Sequence, residues 1–176
     1  MRIMRRSRSR KGTLILVCGL PGAGKTTVAK RLEAERGAIR MCPDEWIESL
    51  LAHRCDFAER DRLRDPVENL QWDLVQGYLA QGLTVVLENG FWSEEERSLY
   101  AIGAIEVGAS IELVSLEAPL EELWRRIAAR NEELPNETWL MTREELARAW
   151  AAFEPPSDEE LAWYDEGTRI AAEAAC

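Results

Sequence analysis

Apolar positions along the chain alternate between short continuous runs and helically spaced stripes. Thr13-Leu14-Ile15-Leu16-Val17-Cys18 is a continuous run of strand length. After a glycine-rich turn, Val28, Ala29, Leu32 and Ala34 interleave with Lys30, Arg31, Glu33 and Glu35, which predicts a helix over 25–36, stopped by Gly37. Ala38 to Met41 reads as a second strand, and helix resumes through Trp46, Ile47, Leu50 and Leu51, with Pro43 and the following acids suited to its first turn. Residues 53–65 are charged and read as a loop or short helix. Asp65-Pro66 reads as the cap and start of a long amphipathic helix through Val67, Leu70, Trp72, Leu74, Val75, Tyr78 and Leu79, ending at Gly82. Leu83 to Leu87 is the third strand, and Ser93 with Glu96 predicts a capping box for the next helix. Ser110 to Leu116 is the fourth strand, followed by a helix from Pro119 through Leu120, Leu123, Trp124 and Ile127. The polar stretch Asn131 to Asn136 reads as a mobile loop. Thr142 with Glu145 is a second capping box, opening a helix to Phe153 that Glu154-Pro155-Pro156-Ser157 breaks. Two short helical pieces are expected to close the chain, with no clear fifth strand after residue 142. Strands alternating with helices predict an α/β fold: a parallel sheet of four to five strands with helices on both faces.

The turn after the first strand carries the first chemical signal. Gly19-Leu20-Pro21-Gly22-Ala23-Gly24-Lys25-Thr26, with Thr27 after it, has two glycines five apart followed by Lys and a hydroxyl residue, between a strand and a helix. Glycines let the backbone curl so that successive N–H groups converge on phosphate oxygens, and the helix N-terminus adds partial positive charge. In this context Lys25 reaches the β- and γ-phosphates of a nucleotide and Thr26 ligates Mg²⁺. The expected cofactors are therefore ATP and Mg²⁺, held by residues 19–27, and the fold class narrows to a three-layer P-loop fold.

Composition adjusts this picture in three ways. With 176 residues, 46% of them hydrophobic, the chain suits one domain with a full core. The division expected is a basic, disordered tail over 1–12 and a single domain over 13–176. Residues 2–11 carry Arg2, Arg5, Arg6, Arg8, Arg10 and Lys11 with no acid and no apolar core, so no export signal is expected. Subtracting those six from 22 basic residues leaves 16 against 32 acidic ones, a body of net charge −16. So acidic a body is a poor general binder of nucleic acid, although the tail could serve as a nucleic-acid arm. The apolar runs are strand-sized, which excludes a membrane span, and Cys18, Cys42, Cys55 and Cys176 show no metal spacing, consistent with a reduced cytoplasmic setting. Cys18 reads as a small apolar filler. The one histidine, His53, reads as a surface or capping residue, so a catalytic base has to be a carboxylate.

In parallel sheets ligands sit at the carboxyl ends of strands. Asp44 follows the second strand, where a carboxylate can accept a hydroxyl proton and aim its oxygen at the γ-phosphate; the competing reading is a helix cap. Glu88 closes the third strand, where an acid can hold Mg²⁺, and Asn89 can orient substrate or Glu88. Glu117 reads as structural. Arg126 and Arg130 stand four apart on one helix face ahead of a lid at about 131–142, an arrangement suited to a transferring phosphoryl group. The competing reading is a solvated face pairing with Glu121 and Glu122, and Arg125 is turned away from that face. Trp72, Trp124 and Trp150 read as core, whereas Trp46 and Trp92 follow strand ends and can wall an acceptor pocket.

The phosphate loop at 19–27, Pro43-Asp44-Glu45-Trp46, Gly90-Phe91-Trp92-Ser93 and Trp124-Arg125-Arg126-Ile127-Ala128-Ala129-Arg130-Asn131 together resemble the small P-loop kinases, the AAA-type ATP-binding group that includes chloramphenicol phosphotransferase, zeta toxins and polynucleotide 5′-kinase domains. The resemblance runs over about 13–165. It implies Asp44 as catalytic base and Arg126 and Arg130 as lid arginines, and it places the region near Pro155 close to the adenine. Glu88 departs from the usual Asp, and Glu132, Glu133 and Glu137 make the lid acidic. The expected function is an ATP- and Mg²⁺-dependent kinase of a small hydroxylated molecule, an antibiotic or nucleoside-like compound being candidates. Catalysis would rest on Lys25, Asp44, Arg126 and Arg130, and Mg²⁺ on Thr26 and Glu88. The alternatives are a polynucleotide 5′-hydroxyl kinase and a non-catalytic ATP-binding regulator acting through a partner.

Overall fold

The computed structural model describes residues 11–51, 57–133 and 140–171. Residues 1–10 of the basic tail, His53, Cys55, Glu137 and Cys176 lie outside them. Five strands, β1 (Thr13–Cys18), β2 (Ile39–Met41), β3 (Thr84–Gly90), β4 (Ser110–Glu117) and β5 (Glu166–Ala171), form one parallel sheet in the order β2-β3-β1-β4-β5. β1 lies at its centre, which explains why its sequence is a continuous apolar run: a parallel strand covered on both faces has no side for polar residues. Leu14, Leu16 and Cys18 point into one core layer with Val85, Leu87, Ile111 and Leu113. That layer is closed by α3 (Phe57–Ala80), α4 (Glu94–Glu106) and Tyr164, which caps α7 (Asp158–Trp163). Ile15 and Val17 point the other way, under α1 (Lys25–Arg36), α5 (Leu120–Glu133) and α6 (Arg143–Ala152). α2 (Pro43–Leu51) leads from β2 toward α3.

The first unit follows its local signals. α1 spans 25–36, and Gly37 ends it at φ 60°, a left-handed conformation that glycine adopts without strain. Ser93 Oγ accepts the Glu96 amide, and Thr142 and Glu145 form a full capping box.

Several expectations change. α3 does not begin at Pro66 but nine residues earlier, and runs through it. An internal proline removes one hydrogen bond and crowds the preceding turn, at about 3 kcal/mol. Ion pairs line the front of the helix, Arg62 with Glu59, Arg64 with Glu68, and Arg60 and Arg64 with Asp44, and they compensate part of this. Leu70 and Leu74, expected on the buried stripe, are exposed, as is Trp150. α5 continues through Glu133 into the expected loop. A fifth strand replaces the second closing helical piece. β5 is an edge strand with only Thr168 and Ile170 half-buried, so no apolar run announces it. Arg169 fastens it by pairing with Glu117 at 2.8 Å and Asp158 at 2.6 Å, the structural part expected of Glu117. α7 packs so closely that a Cβ on Gly167 would lie 2.2 Å from the Leu161 carbonyl oxygen.

Candidate active site

The carboxyl edge of the sheet opens into a cleft of about 730 Å³. Its floor is the phosphate loop. Gly19, Gly22 and Gly24 all have positive φ, and a Cβ on Gly22 would lie 2.9 Å from the Leu123 carbonyl oxygen, so the loop is pressed against α5. The loop ends at α1, whose first residues, Lys25, Thr26 and Thr27, line the cleft. Lys25 Nζ donates to the Leu20 carbonyl at 3.1 Å. Desolvation pulls the Lys25 ammonium below the ordinary lysine value, with the charges of Asp44 and Glu88 opposing.

Asp44 lies in the first turn of α2, on the cleft wall, and its side chain is half exposed. Arg60 and Arg64 each donate to its Oδ1 at 2.8 Å. These arginines come from the unforeseen front of α3, 16 and 20 residues away, and no local pattern pairs them with Asp44. Arg126 and Arg130 also line the cleft. Arg126 donates to Glu122 at 2.6 Å and to the Gly22 carbonyl at 3.4 Å, which joins α5 to the phosphate loop. Desolvation lowers the Arg130 pKa, Asp44 opposing and Arg60 adding to it. Arg125 is exposed and takes the other oxygen of Glu122 with its Nε at 2.7 Å, while Glu121 pairs with Arg143. Both expected features of this helix therefore coexist: a cleft face and a solvated, paired face.

A bulge shapes the back of the cleft. Leu16 pairs with Leu87 but Cys18 with Gly90, so Glu88 and Asn89 together face the single residue Val17. Both line the cleft. Glu88 is buried, its Oε1 paired with Arg40, while its Oε2 is buried with no hydrogen-bond partner. Arg40 also donates to Glu45 at 2.6 Å, and these carboxylates hold it charged against the desolvation of its position. Cys42 joins Glu45 and Glu88 within 4.8 Å, a set that could hold a cation. Burial pushes the Cys42 thiol up to about 12, with the Glu88 charge adding to it, which leaves it protonated and a poor nucleophile. For Mg²⁺, the Thr26 hydroxyl and the unpartnered Glu88 oxygen are the fitting hard donors. Trp92 forms part of the wall, whereas Trp46 packs against the first core layer.

One buried arginine holds this edge in shape. Arg97 is buried. It makes a bidentate pair with Glu160 at 2.6 and 2.8 Å and donates to the carbonyls of Phe91 at 3.0 Å and Glu154 at 2.9 Å. Phe91, buried in the wall, has φ 49°, a left-handed conformation unusual for an aromatic residue. Arg97 thereby ties the turn after β3 to the loop before α7.

Known proteins resemble this chain in sequence and in fold. The profile of the family described as an AAA domain, AAA_33, matches residues 14–156. The "Probable adenylyl-sulfate kinase" of Aeropyrum pernix is 26% identical over 120 residues, 66% of this chain and 64% of that protein, so the chain spans just under two thirds of its length. Chaetomium thermophilum Kti12 in complex with ADP-AlF3 superposes with a TM-score of 0.66 at 21% identity, over 91% of this chain and 89% of the other. The Mycobacterium tuberculosis APS kinase CysC in complex with AMPPNP and APS gives 0.58 at 19% identity, over 94% and 91%. The sheet order and flanking helices are those of a P-loop kinase fold. Among the described residues no helix is long and apolar enough to cross a membrane.

Proposed function

The chain belongs to the AAA_33 family of P-loop kinase domains, and from that premise we propose that it is an ATP- and Mg²⁺-dependent phosphotransferase acting on a hydroxyl group of a small molecule. The observation that carries the reading is one cleft that joins the phosphate loop, the Asp44 carboxylate and the Arg126–Arg130 face. The loop amides and Lys25 hold the nucleotide phosphates. Thr26 and Glu88 would hold Mg²⁺, which supplies charge neutralisation between phosphate oxygens when bound. Asp44 accepts the proton as the acceptor oxygen attacks the γ-phosphorus; the bond from that phosphorus to the bridging oxygen breaks and ADP leaves. Arg126 and Arg130 stabilise the transferring phosphoryl charge. Arg60 and Arg64 hold one oxygen of Asp44, which fixes the carboxylate while the other oxygen serves the acceptor.

Charge on the cleft favours a small acceptor over a polynucleotide. Lys25, Arg60, Arg64, Arg126 and Arg130 are matched by Asp44, Glu48, Glu68, Glu88 and Glu96, five against five. A polynucleotide track calls for net positive charge. The names of the Aeropyrum relative and of the Mycobacterium structure support a small-molecule kinase without fixing the acceptor.

The test is ADP release from ATP–Mg²⁺ across hydroxylated antibiotics, nucleosides, nucleotide sugars and 5′-hydroxyl oligonucleotides, with Asp44→Asn alongside. Loss of a general base lowers turnover by about 10²–10⁴-fold, with ATP affinity retained. Equal turnover in Asp44→Asn overturns the assignment of the base. ATP binding with no acceptor-dependent release moves the chain to the regulator reading.

A further inference from the structure

The wall facing the phosphate loop has a chemistry of its own. Arg64, Glu68 and Gln71 follow at spacings of four and three on α3 and so share one face. Arg64 spends one amino group on Asp44 at 2.8 Å and the other on Glu68 Oε1 at 3.1 Å. Glu96, in the first turn of α4, lines the same space, with its Oε2 on the Trp92 amide at 2.9 Å. Burial raises the pKa of both carboxyls; at Glu68 the nearby Glu96 charge adds to this while Arg64 opposes it. Asn89 also lines the space, its Nδ2 donating to the Tyr100 hydroxyl at 3.4 Å and its Oδ1 buried without a partner. One turn beyond Glu68, Gln71 is only 1% exposed, and neither its Oε1 nor its Nε2 has a partner.

Buried polar atoms are nearly always partnered, so the unpartnered Asn89 amide oxygen on the lining of the cleft points to a ligand. The acceptor atoms here are two carboxylates and an amide oxygen, and the two arginines near them are shared with other carboxylates, Arg64 with Asp44 and Arg97 with Glu160. A phosphate, sulfate or carboxylate would meet two desolvated anions. A primary ammonium brings three donors, no acceptor and the missing positive charge.

We propose that the acceptor is a polyhydroxylated primary amine, of the amino-sugar or aminocyclitol class, with its ammonium held by Glu68, Glu96 and the Asn89 carbonyl while a hydroxyl reaches Asp44. The fate of that hydroxyl rests on the kinase reading; the ammonium site does not. The face of α3 that carries it also carries the arginine that holds Asp44, so ammonium binding and hydroxyl placement share one rigid element.

The test is calorimetric titration of the full chain, saturated with AMPPNP, using glucosamine and kanamycin, their N-acetylated forms, glucose, and adenylyl sulfate. ADP release from ATP–Mg²⁺ is measured with the same compounds. The amines are expected to bind at least about tenfold tighter than their acetylated forms, the worth of one charge-assisted hydrogen bond. Glu68→Gln and Glu96→Gln should each weaken amine binding by about the same factor, with AMPPNP affinity and melting temperature showing that each variant is folded. Equal binding of amine and acetylated amine, no amine binding, or ADP release driven by adenylyl sulfate instead overturns the acceptor class. Amine binding of the expected pattern without ADP release upholds the ammonium site and overturns the kinase reading.

Discussion

Glu160→Ala isolates the contribution of the buried strap that ties the turn after β3 to α7. Arg97 and Glu160 have 1% and 7% of their side chains exposed and form a bidentate pair. Removing Glu160 leaves a guanidinium buried with its charge uncompensated, a change worth about 3–5 kcal/mol. Arg97 keeps its two carbonyl partners, Phe91 and Glu154, which places the expected loss toward the lower end. For a chain of this size that loss lowers the melting temperature by about 6–12 °C. The assay is denaturant and thermal unfolding of wild type, Glu160→Ala, Arg97→Met and the double variant. The two single losses should not add, because the second substitution removes a charge already stranded by the first. A loss below about 1 kcal/mol for Glu160→Ala, the range of an exposed pair, would refute the reasoning. So would strict additivity of the two substitutions.

Three further outcomes follow. Gly22→Ala puts a Cβ 2.9 Å from the Leu123 carbonyl oxygen at φ +81°, so nucleotide affinity measured by fluorescence titration should fall at least about tenfold, while a residue outside the loop changed to Ala leaves it unaltered. Thr142→Ala removes the α6 capping box and should cost about 1 kcal/mol in denaturant unfolding. Glu68 has a raised folded-state pKa, so the stability it contributes is fully present below its unfolded value and is lost as pH rises through the raised one; Glu68→Gln should therefore gain stability relative to wild type as pH climbs from about 4.5, read from unfolding curves across pH.

The legible parts of this chain are those set by neighbours in sequence. The strand, glycine turn and helix over 13–36 follow from local pattern, as do both serine and threonine caps. What escaped depends on residues far apart. Arg97 reads as one more charge on an amphipathic helix, and only the fold brings it to Glu160, 63 residues on. Arg60 and Arg64 lie on a stretch that is helical in spite of Pro66, where local propensity alone predicts a stop, and their partner Asp44 is 16 and 20 residues away. β5 carries almost no buried apolar residue because an edge strand needs few. Trp150 sits in a helical apolar pattern yet faces solvent, since α6 buries only its Leu146–Ala149 side. The sequence positions of Lys25, Asp44, Arg126 and Arg130 were legible, and their meeting in one cleft required the three-dimensional arrangement.

The irregular features of the fold concentrate where chemistry is expected. In an unbroken strand, consecutive side chains point to opposite faces, so Glu88 and Asn89 could not both serve one cleft. The bulge between Leu16 and Cys18 relaxes that alternation just before the strand ends. It also sets Gly90 against Gly19, whose amide donates to the Gly90 carbonyl at 3.0 Å, and so locks the end of β3 to the start of the phosphate loop. The left-handed Phe91 follows at once, and its carbonyl is taken by Arg97. A chain that needed only a stable sheet would gain from a regular ladder and an apolar residue at 97. Strain and a buried charge are retained instead at the edge that carries Glu88 and Asn89, which is the distribution expected when backbone regularity yields to the placement of two polar side chains.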